Sequence, residues 1–198
     1  GSIESDGRGV LLTTTQCLLS TTRNSDMTQS QIEHFLKKEL GLKKILWLNH
    51  GALIGDDTDA HIDTLARFCA VDTIAYVKCK DSQDVHYQTL KRMEDELKEF
   101  KGLSGNKYKL VALPMPDACY AQEGNRLPAT YANFLLVNDG VLVPIYGVRQ
   151  DQEALDRIQN IFPKRKVVGV DCLPLIQQNG SLHCISMQYP SAVKIMLE

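Results

Sequence analysis

No apolar run in these 198 residues reaches transmembrane length, and the opening residues carry neither a basic stretch nor the apolar core that a secretory leader needs. The expectation is a soluble globular protein without a targeting segment. Charge of one sign is lacking too. With 22 basic against 24 acidic side chains the formal net charge is -2, too little to draw the chain to nucleic acid or to an acidic membrane surface. The expected partner is a small molecule, with no nucleic-acid and no membrane partner, and a homo-oligomer is compatible with this composition. The six cysteines (Cys17, Cys69, Cys79, Cys119, Cys172, Cys184) include no CxxC pair and lie mostly in apolar runs. That argues against a disulfide framework or structural zinc and for a reducing, cytoplasmic setting. Low-complexity tracts and interdomain linkers are missing as well. With 43% hydrophobic residues, residues 1–198 read as one ordinary core or as a large piece of a bigger single-domain enzyme.

What is present is a repeated pattern. Residues 10–14 read as a β-branched strand, and Thr28-Gln29-Ser30-Gln31 is a capping-box pattern for a helix with Ile32, Phe35, Leu36 and Leu40 on its apolar face, ended by Gly41. A short strand at 44–48 follows. Strands are then expected at 65–68 and 73–77, an amphipathic helix at 84–100 and a strand at 108–113. The same order recurs with a strand at 131–137, a turn at Asn138-Asp139-Gly140, a strand at 141–145, a helix at 151–162 and a strand at 166–170. Two full strand-strand-helix-strand units are visible. The first segment reads as the tail of a third whose leading strand lies close to, or before, Gly1. The fold class is α/β, an array of repeated modules of roughly 60 residues.

Chemistry concentrates in two segments. Cys184 closes Asn179-Gly180-Ser181-Leu182-His183-Cys184, where a strand leaving a Gly turn would offer a candidate nucleophile; the alternative is a small buried hydrophobe. On such a strand His183 would point to the opposite face and could not be its base. Gly55-Asp56-Asp57-Thr58-Asp59-Ala60-His61-Ile62-Asp63 supplies a His and an Asp two apart, which a strand would aim into one cleft; the alternative is a polar loop. Several acids near a His suit a guanidinium, a planar cation that carboxylates grip bidentately. Asn133 is a polar residue in an apolar run, either a satisfied core amide or part of a site. His34 and His86 fall in predicted helices as surface residues, His50 follows a strand end, and none completes a metal-ligand pattern. No metal or other cofactor is expected.

The ordered series Ser2-Ile3, Asp6-Gly7, Leu11-Leu12-Thr13-Thr14, Arg23-Asn24, Gly55 to Asp63, Leu127-Pro128-Ala129-Thr130-Tyr131-Ala132-Asn133-Phe134, Val167-Val168-Gly169-Val170 and Gly180-Ser181-Leu182-His183-Cys184-Ile185-Ser186-Met187-Gln188 resembles agmatine deiminases of the bacterial peptidylarginine deiminase type. The resemblance implies a fivefold pseudosymmetric α/β propeller, here in part. It implies hydrolysis of agmatine to N-carbamoylputrescine and ammonia, in putrescine and wider polyamine biosynthesis. It also implies Cys184 as nucleophile, His61 as general acid/base, Asp63 and Asn133 as substrate-binding residues, and Asp56 or Asp59 as acids behind them. Peptidylarginine or free arginine is the alternative substrate. A scaffold or interaction fragment that needs its N-terminal half is the alternative of another class. Two departures stand out: Ala60 occupies a position where the family has Gly, and the family's Glu-Gly-Gly would put a site acid just ahead of Gly1, so residues 1–198 are expected to be the C-terminal modules of one catalytic domain.

Overall fold

Three sheets of three strands repeat one plan in the structure, a computed structural model that describes residues 1–189 and Val193. The strands are β1 (Ile3–Ser5), β2 (Val10–Thr14) and β3 (Lys44–Leu48), then β4 (Ala66–Ala70), β5 (Thr73–Lys78) and β6 (Lys109–Pro114), then β7 (Leu135–Val137), β8 (Gly140–Ile145) and β9 (Lys166–Asp171). The helices are α1 (Thr15–Leu18), α2 (Thr21–Asn24), α3 (Gln29–Leu40), α4 (Tyr87–Glu99), α5 (Asp151–Ile161) and α6 (Leu173–Ile176). In every unit the first two strands pair antiparallel and the second and third pair parallel. A parallel pair needs a crossover, and α3, α4 and α5 supply it. The register repeats as well: Lys44, Lys109 and Lys166 open the third strands opposite Val10, Thr73 and Gly140.

Three units are therefore complete where the sequence displayed two. The leading strand of the first is β1, three residues of sequence Ile-Glu-Ser, too short to carry an alternation. Residues 131–133 form a 3-10 turn rather than the start of a strand, and β7 begins only at Leu135. The predicted α3 start holds: Thr28 and Gln31 form a reciprocal capping box, and Gly41 closes the helix at φ +66, a left-handed value that glycine adopts at little cost.

Alternation along β3 explains how the units stack. Ile45 and Trp47 join Leu11, Cys17 and Ile32 on the face covered by α3, whereas Leu46 and Leu48 join Leu90, Met93 and Leu97 of α4. Helix α4 thus packs between its own sheet and the third strand of the unit before it. Helix α5 repeats this, with Ala154 and Ile158 in one cluster with Ala75, Leu113, Val141 and Val143, and with contacts to both β6 and β9. Burying a Leu, Met or Val side chain contributes about 1.5–3 kcal/mol, so these shared helices fasten neighbouring units together. The outer units end differently. On α3 only Ile32 is buried, while Phe35 (55% exposed) and Leu40 (51%) face outward, so its apolar face is narrower than predicted. On β9, Val168 is 38% exposed, although its register equivalent in β3, Leu46, is 5%.

Candidate active site

The repeated plan brings one end of each unit together. A 3-10 turn at Ile62–Thr64 precedes β4, a second at Tyr131–Asn133 precedes β7, and a turn at residues 182–185 follows β9 and α6. These turns correct the expectation that His61, Asp63, Asn133 and Cys184 sit on strands. His61 is the N-cap residue of its turn, and Asp63 lies inside it with 1% exposure. The chain reaches His61 through Asp59 and Ala60, both in the left-handed region at φ +62 and +60. Thr14 Oγ1 donates to the Ala60 carbonyl at 2.8 Å, which pins that bend to β2. Despite the lost alternation, His61 and Asp63 face the same point: a Cβ added to Gly1 would meet His61 Nδ1 and Asp63 Oδ1, each at 2.6 Å.

Asn133 joins this pair to the cysteine. Its Oδ1 accepts the His183 backbone N–H at 2.8 Å, and its Nδ2 lies 3.4 Å from Cys184 Sγ and 3.4 Å from the Asp63 carbonyl. Cys184 Sγ is 3.9 Å from Asp63 Oδ2, whose other partner is His183 Nδ1 at 2.7 Å. Of the six cysteines Cys184 alone is exposed. Its sulfur is nevertheless hemmed in by Asn133 and Asp63, and this partial burial together with the Asp63 charge raises the thiol above its ordinary range. Burial would also raise Asp63, but the shift is downward, with the His183 hydrogen bond the largest opposing cause and the Arg67 charge adding to it, and the carboxylate stays ionised. Burial lowers His61, so its imidazole is neutral at pH 7. Two buried polar atoms, His61 Nε2 and Asp63 Oδ1, have no protein partner. A neutral thiol, a neutral imidazole and an ionised carboxylate with one oxygen unpaired suit a cationic ligand rich in N–H donors.

A family model described as Porphyromonas-type peptidyl-arginine deiminase matches residues 1–190. The chain belongs to that family. A Legionella pneumophila (strain Paris) protein named "Putative agmatine deiminase" is 36% identical over 196 residues, 98% of this chain and 56% of the relative. The crystal structure of a "Putative Arginine Deiminase" from Porphyromonas gingivalis superposes with a TM-score of 0.94 at 52% identity, over 96% of this chain and 56% of that one. A cysteine-to-serine variant of C. jejuni agmatine deiminase with substrate bound superposes with a TM-score of 0.87 at 45% identity, over 93% and 53%. The chain thus spans about half the length of the curated relatives it matches.

In this deiminase-family chain some residues lie elsewhere than expected. His183, set aside because a strand would turn it away from Cys184, is hydrogen-bonded to Asp63 instead, since residues 182–185 form a turn and strand alternation does not apply. His86 is buried at 3% exposure rather than on the surface: its Nε2 accepts the Ile54 N–H at 2.9 Å, and its Nδ1 pairs with Asp84 at 2.8 Å. His50 binds Glu96 at 2.7 Å. Asp56 accepts the Thr58 N–H at 3.0 Å, and Asp59 lies 3.8 Å from Arg23, so both shape the loop leading to His61. Sequence reasoning missed the ion pair behind Asp63 between buried Arg67 and half-buried Glu4. Arg67 Nε is 3.0 Å from Glu4 Oε2, its guanidinium donates to the Phe134 carbonyl at 2.7 Å and lies 5.0 Å from the centre of the Phe134 ring. The available clue was a charged residue inside the apolar run Leu65-Ala66-Arg67-Phe68. Among the described residues no group of three His, Cys, Asp or Glu is disposed to hold a metal ion, and no helix is long and apolar enough to cross a membrane.

Proposed function

We propose that this chain carries the nucleophile and part of the guanidinium-binding groups, Asp63 and Asn133, of an agmatine deiminase. The observation that carries the reading is Cys184, the exposed cysteine, held by Asn133 beside an ionised Asp63. In this reading Asp63 grips the substrate cation with Asn133 alongside, and the bound positive charge offsets the Asp63 field that raises the thiol. His61 takes the thiol proton, and the sulfur attacks the guanidinium carbon. The adduct expels ammonia, its nitrogen protonated by His61, and leaves an amidino-thioether on Cys184. His61 then deprotonates water, which attacks the same carbon, and the C–S bond breaks to release N-carbamoylputrescine and the thiolate. The printed names of the relatives support the class of substrate, and the substrate-bound cysteine-to-serine neighbour supports thiol chemistry. Unpaired cysteines suit a cytoplasmic setting. A second reading, free or peptidyl arginine, is favoured by the higher identity to the arginine deiminase-named structure, 52% against 45%.

The finer architecture belongs to the same proposal. Three units over 56% of the relatives' length agree with a ring of five, of which residues 1–198 supply the C-terminal modules. In the full-length polypeptide, Cys184→Ala is expected to lose all detectable ammonia release from agmatine while calorimetry still registers agmatine binding. Substantial residual turnover would remove Cys184 as nucleophile. Ammonia from an arginine-containing peptide but none from agmatine would reverse the choice of substrate.

A further inference from the structure

We propose that Tyr146 is a positioning residue whose hydroxyl keeps the Asp63, Asn133 and Cys184 segments in mutual register. The inference rests on the deiminase reading for its kinetic consequence, although its geometric basis is independent. Tyr146 follows β8 and is 3% exposed. Its hydroxyl accepts the Thr130 N–H at 3.1 Å, donates to the Thr130 carbonyl at 3.0 Å and lies 3.1 Å from Ser181 Oγ. A phenol has one proton and two acceptor sites. The proton goes to Thr130, so Ser181 must be the donor in the third contact and the hydroxyl is saturated.

Each partner belongs to a site-bearing segment. Thr130 is the N-cap of the Tyr131–Asn133 turn, its Oγ1 accepting the Ala132 N–H at 3.2 Å. That same Oγ1 donates to the Thr64 carbonyl at 2.9 Å, in the turn that carries Asp63. Ser181 opens the turn that presents His183 and Cys184. The Tyr146 oxygen therefore ties two of these loops directly, and Thr130 Oγ1 extends the tie to the third, although no strand pairing joins them. The site contacts downstream of it, Asn133 Nδ2 to Cys184 Sγ and Asn133 Oδ1 to the His183 N–H, depend on the relative placement of these loops. The backbone of Tyr146 is itself anchored, because its N–H and those of Gly147 and Val148 all donate to the Asp151 carboxylate that heads α5.

Tyr146→Phe retains the ring, which packs 5.8 Å from that of Tyr131, and removes only the oxygen. In the full-length enzyme kcat is expected to fall about tenfold or more, with KM changing less than about threefold, because small misplacements of a nucleophile cost rate. Asp63 keeps its own tie to His183, which preserves the grip on substrate. The second readout is alkylation of Cys184 by iodoacetamide without substrate: its pH profile should shift in Tyr146→Phe, whereas a purely structural role would lower Tm and leave that profile unmoved. Ser181→Ala should reproduce the shift, and the double variant should be no worse than the single ones, as for residues acting through one interaction. Wild-type kcat and a wild-type alkylation profile in either folded variant would overturn the proposal, and Ser181→Ala decides it if Tyr146→Phe does not fold. If the wild-type enzyme releases ammonia from no guanidino compound, the deiminase reading falls, and the alkylation profile still decides the role of Tyr146.

Discussion

Asp63 has two oxygens with different duties. Oδ2 holds His183 at 2.7 Å and faces Cys184 Sγ at 3.9 Å, while Oδ1 is buried without a protein partner. The carboxylate therefore both offers a grip for a cation and opposes ionisation of the nearby thiol. Asp63→Asn keeps the shape and deletes the charge, so the midpoint of Cys184 alkylation against pH should move to lower pH while agmatine turnover disappears. An unmoved or higher midpoint would refute the coupling. The residue types of this site were legible in the sequence, since a thiol, an imidazole, a carboxylate and an amide stood out from their surroundings. Their arrangement was not, because each was assigned to a strand and all four lie in or beside turns. His183 was lost for that reason alone. Ala60 illustrates the opposite case: the Gly that the resemblance puts there would suit φ +60, where a non-glycine residue pays about 1–2 kcal/mol, partly offset by burying a methyl group, worth about 0.8 kcal/mol; Ala60 is 2% exposed.

At the scale of elements, strands and helices were legible because each has a buried face with its own period, whereas the loop from β3 to the Ile62–Thr64 turn is organised by side chains distant in sequence. Its middle is held by α4 through His86, which precedes the helix and accepts the Ile54 N–H. Gly55 passes so close to Arg126 that an added Cβ would sit 2.5 Å from the Arg126 carbonyl oxygen. The Ile54 contact requires neutral imidazole at Nε2. Facing His86 are Asp84, whose pKa is about 2, and Arg126, which binds Asp84 at 2.8 Å; burial is the main cause that lowers the His86 pKa. The unfolded chain takes up a proton near pH 6.5 that the folded chain refuses. The contribution to stability is therefore present above that pH and lost as pH falls through the depressed folded value. His86→Gln keeps an acceptor that does not titrate, so its Tm should fall less between pH 7.5 and 5.5 than that of the wild type. Equal falls would show that the Ile54 anchor is not a source of acid lability.

For the whole molecule, the decisive feature is that the stacking rule runs out at both ends. Helices α4 and α5 each bridge two units, yet α3 leaves Phe35 and Leu40 exposed, and β9 leaves Val168 exposed where its equivalent Leu46 is covered by α4. In a five-unit ring α3 would pack on the third strand of a preceding module, and β9 would receive the helix of a following one. These two apolar faces and the free edges of short strands are surfaces that drive association when uncovered. In the five-unit reading the further modules would complete the grip on a guanidinium bound at Asp63. The isolated 198-residue chain is therefore expected to sediment as concentration-dependent oligomers, to bind a hydrophobic dye more strongly than the full-length polypeptide, and to release no ammonia from agmatine. A monodisperse, active monomer of residues 1–198 would mean that these faces need no cover and that the site is complete within three units, and the five-unit reading would fall with it.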